Sequence, residues 1–230
     1  MAMKHIAFIP AREGSIGFKH KNRLFFNHAA NFLDQITWLD QILVSSDDNV
    51  VLDRARSRDY AIHERSNELS GPNISIKSVL ENVINEMALS LNAYIWLFYL
   101  PILYKNRNDF KGAKSIIEKS NIDSICSFIK ARTHPYNCWR YDKLSKKLLQ
   151  YIPNDVFCRQ DLETAWMHYH YICAFRAGCI DSLNSELLCA ETMPIFLDDK
   201  TADCLIEVDT PEDYEKWKTL NKGLAISEQD

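Results

Sequence analysis

The sequence predicts an α/β fold of three layers, with a mostly parallel central sheet and helices on both faces. Short apolar runs of strand length recur along the chain, as in His5–Pro10 and Gln41–Ser45. Segments with apolar residues at helical spacing lie between them. One run, Tyr94 to Tyr99, is apolar throughout, as a central strand covered on both faces requires. Alternation of this kind builds parallel sheets through crossover helices.

The elements follow in order. His5 to Pro10 is a buried strand that ends in a proline and a Gly/Ser loop. Gln41 to Ser45 is a second strand, running into Ser46-Asp47-Asp48, and Asn49 to Arg58 reads as helix. A third short strand is expected near Tyr60 to His63. From Asn73 the period changes: Ile76, Val79, Leu80, Val83, Ile84 and Met87 share one helical face. After the central strand, Asp109 to Lys119 reads as helix and Ser124 to Ile129 as strand. Thr133 to Glu163 breaks the alternation with aromatic and basic residues and reads as an excursion from one domain spanning residues 1–230, a lid or a dimerisation arm. The chain closes with a strand, Leu205 to Val208, and a helix with Thr210 as N-cap, Pro211 first, and Glu212 and Asp213 at its positive end.

Composition excludes several classes. The 230 residues are 47% hydrophobic and 25% charged, ordinary for a globular chain with a sizeable core. A net charge of −4 lacks the basic footprint of a nucleic-acid binder, so no nucleic-acid partner is expected. The longest apolar run, Ala93 to Tyr104, contains a proline and is too short to span a bilayer. The N-terminus enters a strand directly, without a signal-peptide pattern. The seven cysteines form no C-x-x-C pair, which reads as reduced thiols rather than a disulfide framework or structural zinc. A cytoplasmic protein without membrane attachment is expected.

The loop after the first strand carries the most chemical information. Gly14, Ser15 and Gly17 permit a turn whose backbone N–H groups face phosphate oxygens, with Arg12, Lys19 and Lys21 as nearby cations. Arginine adds a bidentate fork. The pattern is neither a Walker loop nor a dinucleotide fingerprint. Alone, it indicates an anion site no better than it indicates a solvated basic loop.

Ile9-Pro10-Ala11-Arg12, with Gly14, Ser15, Gly17, Lys21 and Asn22, resembles the opening motif of the acylneuraminate cytidylyltransferases, the CMP-sialic acid synthetase family. Four further segments resemble that family in the same order: Val44-Ser45-Ser46-Asp47-Asp48; Arg65-Ser66-Asn67-Glu68-Leu69-Ser70; Phe157-Cys158-Arg159-Gln160-Asp161-Leu162; and Ile206-Glu207-Val208-Asp209-Thr210-Pro211-Glu212-Asp213. Ile16 stands where the family carries a lysine, with Lys19 as the nearest substitute. Glu207 stands where the family carries aspartate, and Tyr169-His170 where it carries Asn-Gly.

The resemblance implies a Rossmann-like nucleotidyltransferase fold and transfer of CMP from CTP to a nonulosonic, sialic-type sugar acid with release of pyrophosphate. It implies that Arg12 and Lys21 hold the triphosphate, helped by Ala11, Gly14 and Ser15. Asn22, Arg65 and Ser75 would face the base, and Arg159 and Gln160 the acceptor. Glu207 and Asp209 would hold Mg²⁺, which suits a hard cation; two apart on a strand, they would project to one face. Arg12, Lys21 and Asp209 form the expected catalytic set. Family members commonly dimerise through an excursion like Thr133 to Glu163, so a homodimer is expected. Transfer to a different acceptor, and nucleotide binding without turnover, stay open. His168 and His170 alternate on an expected strand, but no third ligand stands at compatible sequence spacing, so no metal site is read there.

Overall fold

The computed structural model describes residues 3–14, 17–158, 160 and 162–221. A seven-stranded sheet organises it, in the order β3-β2-β1-β4-β8-β5-β9. The strands are β1 (His5–Pro10), β2 (Gln41–Ser46), β3 (Ala61–Glu64), β4 (Tyr94–Leu97), β5 (Ser124–Lys130), β8 (Trp166–Arg176) and β9 (Met193–Phe196). The pairings β3–β2, β2–β1, β1–β4 and β5–β9 are parallel, while β8 runs antiparallel to both β4 and β5. The expected mostly parallel α/β sheet is therefore the one observed.

Burial follows from the sequence pattern. Every residue of β1 and of β4 is buried, as two-sided coverage demands. Along β1, Ala7 and Ile9 join one apolar layer while Ile6 and Phe8 join the other. The first layer takes α1 (Lys21–Leu33), α2 (Asn49–Arg56), α4 (Arg107–Ser120) and α6 (Pro211–Leu220). The second takes α3 (Ile76–Glu86) through Val79, Leu80, Val83 and Ile84. Two helical layers around one sheet are the three layers expected.

Three departures matter. The expected strand Leu205–Val208 does not form; only Glu207 makes an isolated bridge, to Ile102. Two features limit pairing there: a short helix, α5 (Asp199–Cys204), ends immediately before, and Pro101 has no N–H to give, although its carbonyl accepts from Val208 at 3.0 Å. The excursion contains a separate two-stranded hairpin, β6 (Trp139–Asp142) with β7 (Lys147–Gln150). Finally, β8 is irregular opposite β5: Cys126 faces Cys173 but Ser127 faces Tyr169, leaving His170, Tyr171 and Ile172 outside the register. The Ser127 hydroxyl repairs the ladder, donating to the Tyr169 carbonyl and accepting from the Ile172 N–H.

The last helix begins as expected. Thr210 caps α6 in a reciprocal capping box with Asp213, and Pro211 opens the first turn. Among the described residues no helix is long and apolar enough to cross a membrane.

Candidate nucleotide site

A cavity of ≈ 280 Å³ opens beyond the carboxyl ends of β1, β3 and β4, where parallel α/β sheets place their ligands. Arg12, Lys21, Asn22, Arg65, Tyr99 and Glu207 give it its polar wall. Pro72, Ile74, Ile76 and Val79 give it an apolar one. A cluster of donors facing an apolar shelf suits a ligand with a charged end and a flat end.

Each polar residue is held by an identifiable device. Arg12 leaves β1, and its carbonyl accepts from the buried Asn22 side chain at 2.8 Å, closing the loop onto the first turn of α1. Lys21 pairs with Asp209. Gly17 explains how the loop reaches that segment, since a Cβ there would lie 2.6 Å from the Asp209 carbonyl oxygen. Asp209 is thus free of helix capping, which Thr210 performs, and its carboxylate meets the lysine instead.

Arg65 sits at the end of a buried relay. Its Nε donates to the Ser45 hydroxyl at 2.8 Å, and that oxygen lies 2.9 Å from His63 Nδ1. His63 Nε2 lies 2.8 Å from Asn82 Oδ1, so it carries the proton and Nδ1 accepts from Ser45. One terminal nitrogen of Arg65 has no partner among the described residues. Burial lowers Arg65 to about 10, with Asp47 opposing and Arg12 assisting, so it stays a cation at neutral pH with a donor to spare.

The carboxylates are electrostatically coupled. Desolvation lifts Glu207, the Asp209 charge lifts it further, and Lys21 opposes both. Burial also raises the Tyr169 phenol, and the two carboxylates add to that; its hydroxyl has no hydrogen-bond partner among the described residues. Burial raises Tyr99 in the same way, keeping it a neutral phenol.

Arg12, Lys21, Asn22, Arg65 and Glu207 therefore meet at one cavity, with Asp209 attached through Lys21. Ala11 is different: its N–H is committed to the Ser45 carbonyl at 2.9 Å and its methyl is fully buried, so it supports the loop from beneath. The Ser75 hydroxyl caps α3, accepting from the Ser78 N–H at 3.0 Å, while its neighbours Ile74 and Ile76 line the cavity. Gly14 is exposed, with open space where a Cβ would stand. Lys19 lines a separate hollow with His20, Arg23 and Arg54. Gln160 is exposed and does not line the cavity; Ser15, Ile16 and Arg159 lie outside the described residues. Asp48 serves the frame, capping α2 through Val50 and pairing with Arg23.

No family model matches the sequence, and no curated protein matches it either. Solved structures do. A CMP:2-keto-3-deoxy-manno-octonic acid synthetase complexed with CTP superposes with a TM-score of 0.62 at 14% identity, over 95% of this chain and 98% of that one. The chain has the nucleotidyltransferase fold. A 4-diphosphocytidyl-2C-methyl-D-erythritol synthase from Anaerococcus prevotii matches at TM-score 0.59 and 14% identity, over 96% and 99% of the two chains. A second such synthase matches at 0.61 and 12%, over 96% and 100%.

Pro72 and Ile74 were not legible as wall residues from the sequence, because their place depends on how the loop after β3 folds toward the end of β4. The Arg65–Ser45–His63–Asn82 relay was equally hidden, although Ser45 stands in a segment singled out for its motif.

Proposed function

We propose that this chain is a cytidylyltransferase that transfers CMP from CTP to a nonulosonic, sialic-type sugar acid and releases pyrophosphate. The observation that carries the reading is the convergence of Arg12, Lys21 and Asn22 from the opening motif, Arg65 from a second and Glu207 from the last, on one cavity at the carboxyl end of the sheet. The fold supports it, since structures sharing it include a CTP complex of a synthetase named for a keto-deoxy sugar acid.

In this mechanism Arg12 and Lys21 bind the triphosphate and neutralise charge as pyrophosphate leaves. Arg65 offers its spare N–H, and Asn22 its amide, to the cytosine edge, while Ile74 and Val79 cover the ring face. The acceptor hydroxyl attacks the α-phosphorus in line, and the protein's contribution is positioning. Gln160 and Arg159, on the excursion, would approach the acceptor carboxylate.

Glu207 and Asp209 fit Mg²⁺: they are hard oxygen donors, and the burial and the Asp209 charge that together raise the Glu207 carboxyl are both offset by a dication. When bound, the ion would neutralise phosphate oxygens and lower the cost of ionising the acceptor hydroxyl. The protein acts as a homodimer in this reading, supported by the exposed Trp139, Tyr141, Leu148 and Tyr151 on the excursion.

Pyrophosphate release from CTP and Mg²⁺, assayed across a panel of nonulosonic and other keto-deoxy sugar acids, tests the reading. Release with a nonulosonic acid supports it. Release only with a different acceptor replaces the substrate, and CTP binding without release for any acceptor replaces the enzyme with a nucleotide-binding protein. The commitment of Ser75 to capping favours keeping that second reading in the test.

A further inference from the structure

We propose that His168, His170 and Glu186 form a site for a borderline divalent transition metal, zinc by class, beside the nucleotide cavity: the His170 ring lies 5.5 Å from that of Tyr99, which lines the cavity. The two histidines occupy alternate positions on β8, and Glu186 comes from the loop that follows the turn after this strand. One ligand atom from each of the three lies within 4.8 Å of the others. His168 Nε2 and the Glu186 carboxylate are 3.4 Å apart. That is long for an N–H···O hydrogen bond, which peaks near ~2.9 Å. It equals the separation of about 3.4 Å between two ligands each held ~2.1 Å from a tetrahedral zinc.

His170 is oriented as a ligand would be. Its Nε2 lies 2.9 Å from the Glu186 carbonyl, which can only accept, so the proton is on Nε2 and Nδ1 keeps its lone pair. Metal-bound histidines regularly give their other N–H to a backbone carbonyl in this way. The supporting loop is built tightly. Asn184 Oδ1 accepts from the Glu186 and Leu188 N–H groups at 2.9 and 3.0 Å. Leu187 between them is fully buried yet left-handed at φ 58, a conformation a leucine adopts only under constraint. The irregularity of β8 is what brings His170 out of register to meet this loop.

Imidazole and carboxylate together favour zinc, cobalt or nickel over magnesium. Three protein ligands leave a coordination position for water or an anion. A rival set exists behind the ring, where Cys126 and Cys173 also approach His170. Both thiols are buried in the apolar layer, whereas His168 and Glu186 reach solvent, so the outer set has an entry path.

Titration of metal-stripped full-length protein with Zn²⁺ by calorimetry, and with Co²⁺ by absorption, tests the assignment without any nucleotide. The expected result is one Zn²⁺ per chain, with affinity lowered about tenfold or more in His168→Ala and in Glu186→Gln. Cobalt should show ligand-field bands without a thiolate charge-transfer band, and Cys126→Ser should leave both titrations unchanged. Circular dichroism confirms that the two surface variants are folded. No Zn²⁺ binding by the wild type, unchanged affinity in both variants, or a thiolate band lost in Cys126→Ser would each overturn the proposed ligand set.

Discussion

Gly17→Ala and Gly14→Ala make the same chemical change three positions apart on one loop, and the structure assigns them opposite outcomes. Neither glycine adopts a left-handed backbone, so the comparison isolates contact. An alanine Cβ at position 17 would lie 2.6 Å from the Asp209 carbonyl oxygen, against a limit near 3.0 Å that real Cβ atoms essentially respect. The loop and the Glu207–Thr210 segment must therefore separate by at least 0.4 Å, the difference between those two values, and backbone cannot rotate out of the way as a flexible side chain can. Overpacking of this kind costs roughly 1–3 kcal/mol. For a chain of this size that lowers the melting temperature by about 2–12 °C. At Gly14 a Cβ meets nothing within 4 Å, so Gly14→Ala should be neutral or stabilise by up to about 1 kcal/mol. Because the displacement pulls Asp209 away from Lys21, Gly17→Ala should also weaken CTP binding. Differential scanning calorimetry of both variants, with CTP titrations, reads these effects. An unchanged melting temperature in Gly17→Ala, or equal shifts in the two variants, refutes the contact.

Ser45→Ala removes the hydroxyl between Arg65 and His63, leaving a buried donor and a buried acceptor unmatched. It should destabilise the fold by about 1–3 kcal/mol in urea unfolding and loosen nucleotide binding, whereas a ΔG equal to wild type would remove the relay from the account. Burial lowers Lys105 to about 7, so between pH 7 and its ordinary value the folded chain holds fewer protons than the unfolded one, and stability rises with pH. The clean window is about pH 7 to 8.5: the lowered His5, His28 and His170 have finished titrating below it. The raised thiols of Cys173 and Cys179 pull stability the other way above it. Urea midpoints should climb across that window in wild type and stay flat in Lys105→Met; a climb of the same size in the variant contradicts the lowered Lys105 ammonium.

Much of the frame was legible because its signals are local. The run His5–Pro10 matched β1 residue for residue, and Thr210-Pro211 with Asp213 marked the start of α6 through capping chemistry contained in four positions. Elements fixed by distant partners were not legible. β9 is a short edge strand containing Pro194 that exists through its pairing with β5, and α5 is six mostly polar residues held by the Asp198 cap. Leu205–Val208 has the composition of a strand, yet the helix before it leaves room for one bridge only. At the site, motif order was enough to gather Arg12, Lys21, Asn22, Arg65 and Glu207. It could not separate Ser75 the helix cap from Ser75 the ligand, since both roles use the same hydroxyl at the same position. Glu186 escaped for a similar reason: it meets His168 and His170 only after the chain has turned back along the sheet.

The most direct measurement of the central claim is calorimetric titration of the protein, with Mg²⁺, by CTP, UTP, ATP and GTP in turn. Saturable binding at one site per chain, with CTP tightest, is the expected result. Arg65→Met should erase most of the advantage of CTP over UTP while the melting temperature of the unliganded protein stays high enough to show a folded chain. Tighter binding of a purine nucleotide or of UTP, or a CTP preference that survives in Arg65→Met, would contradict the central claim.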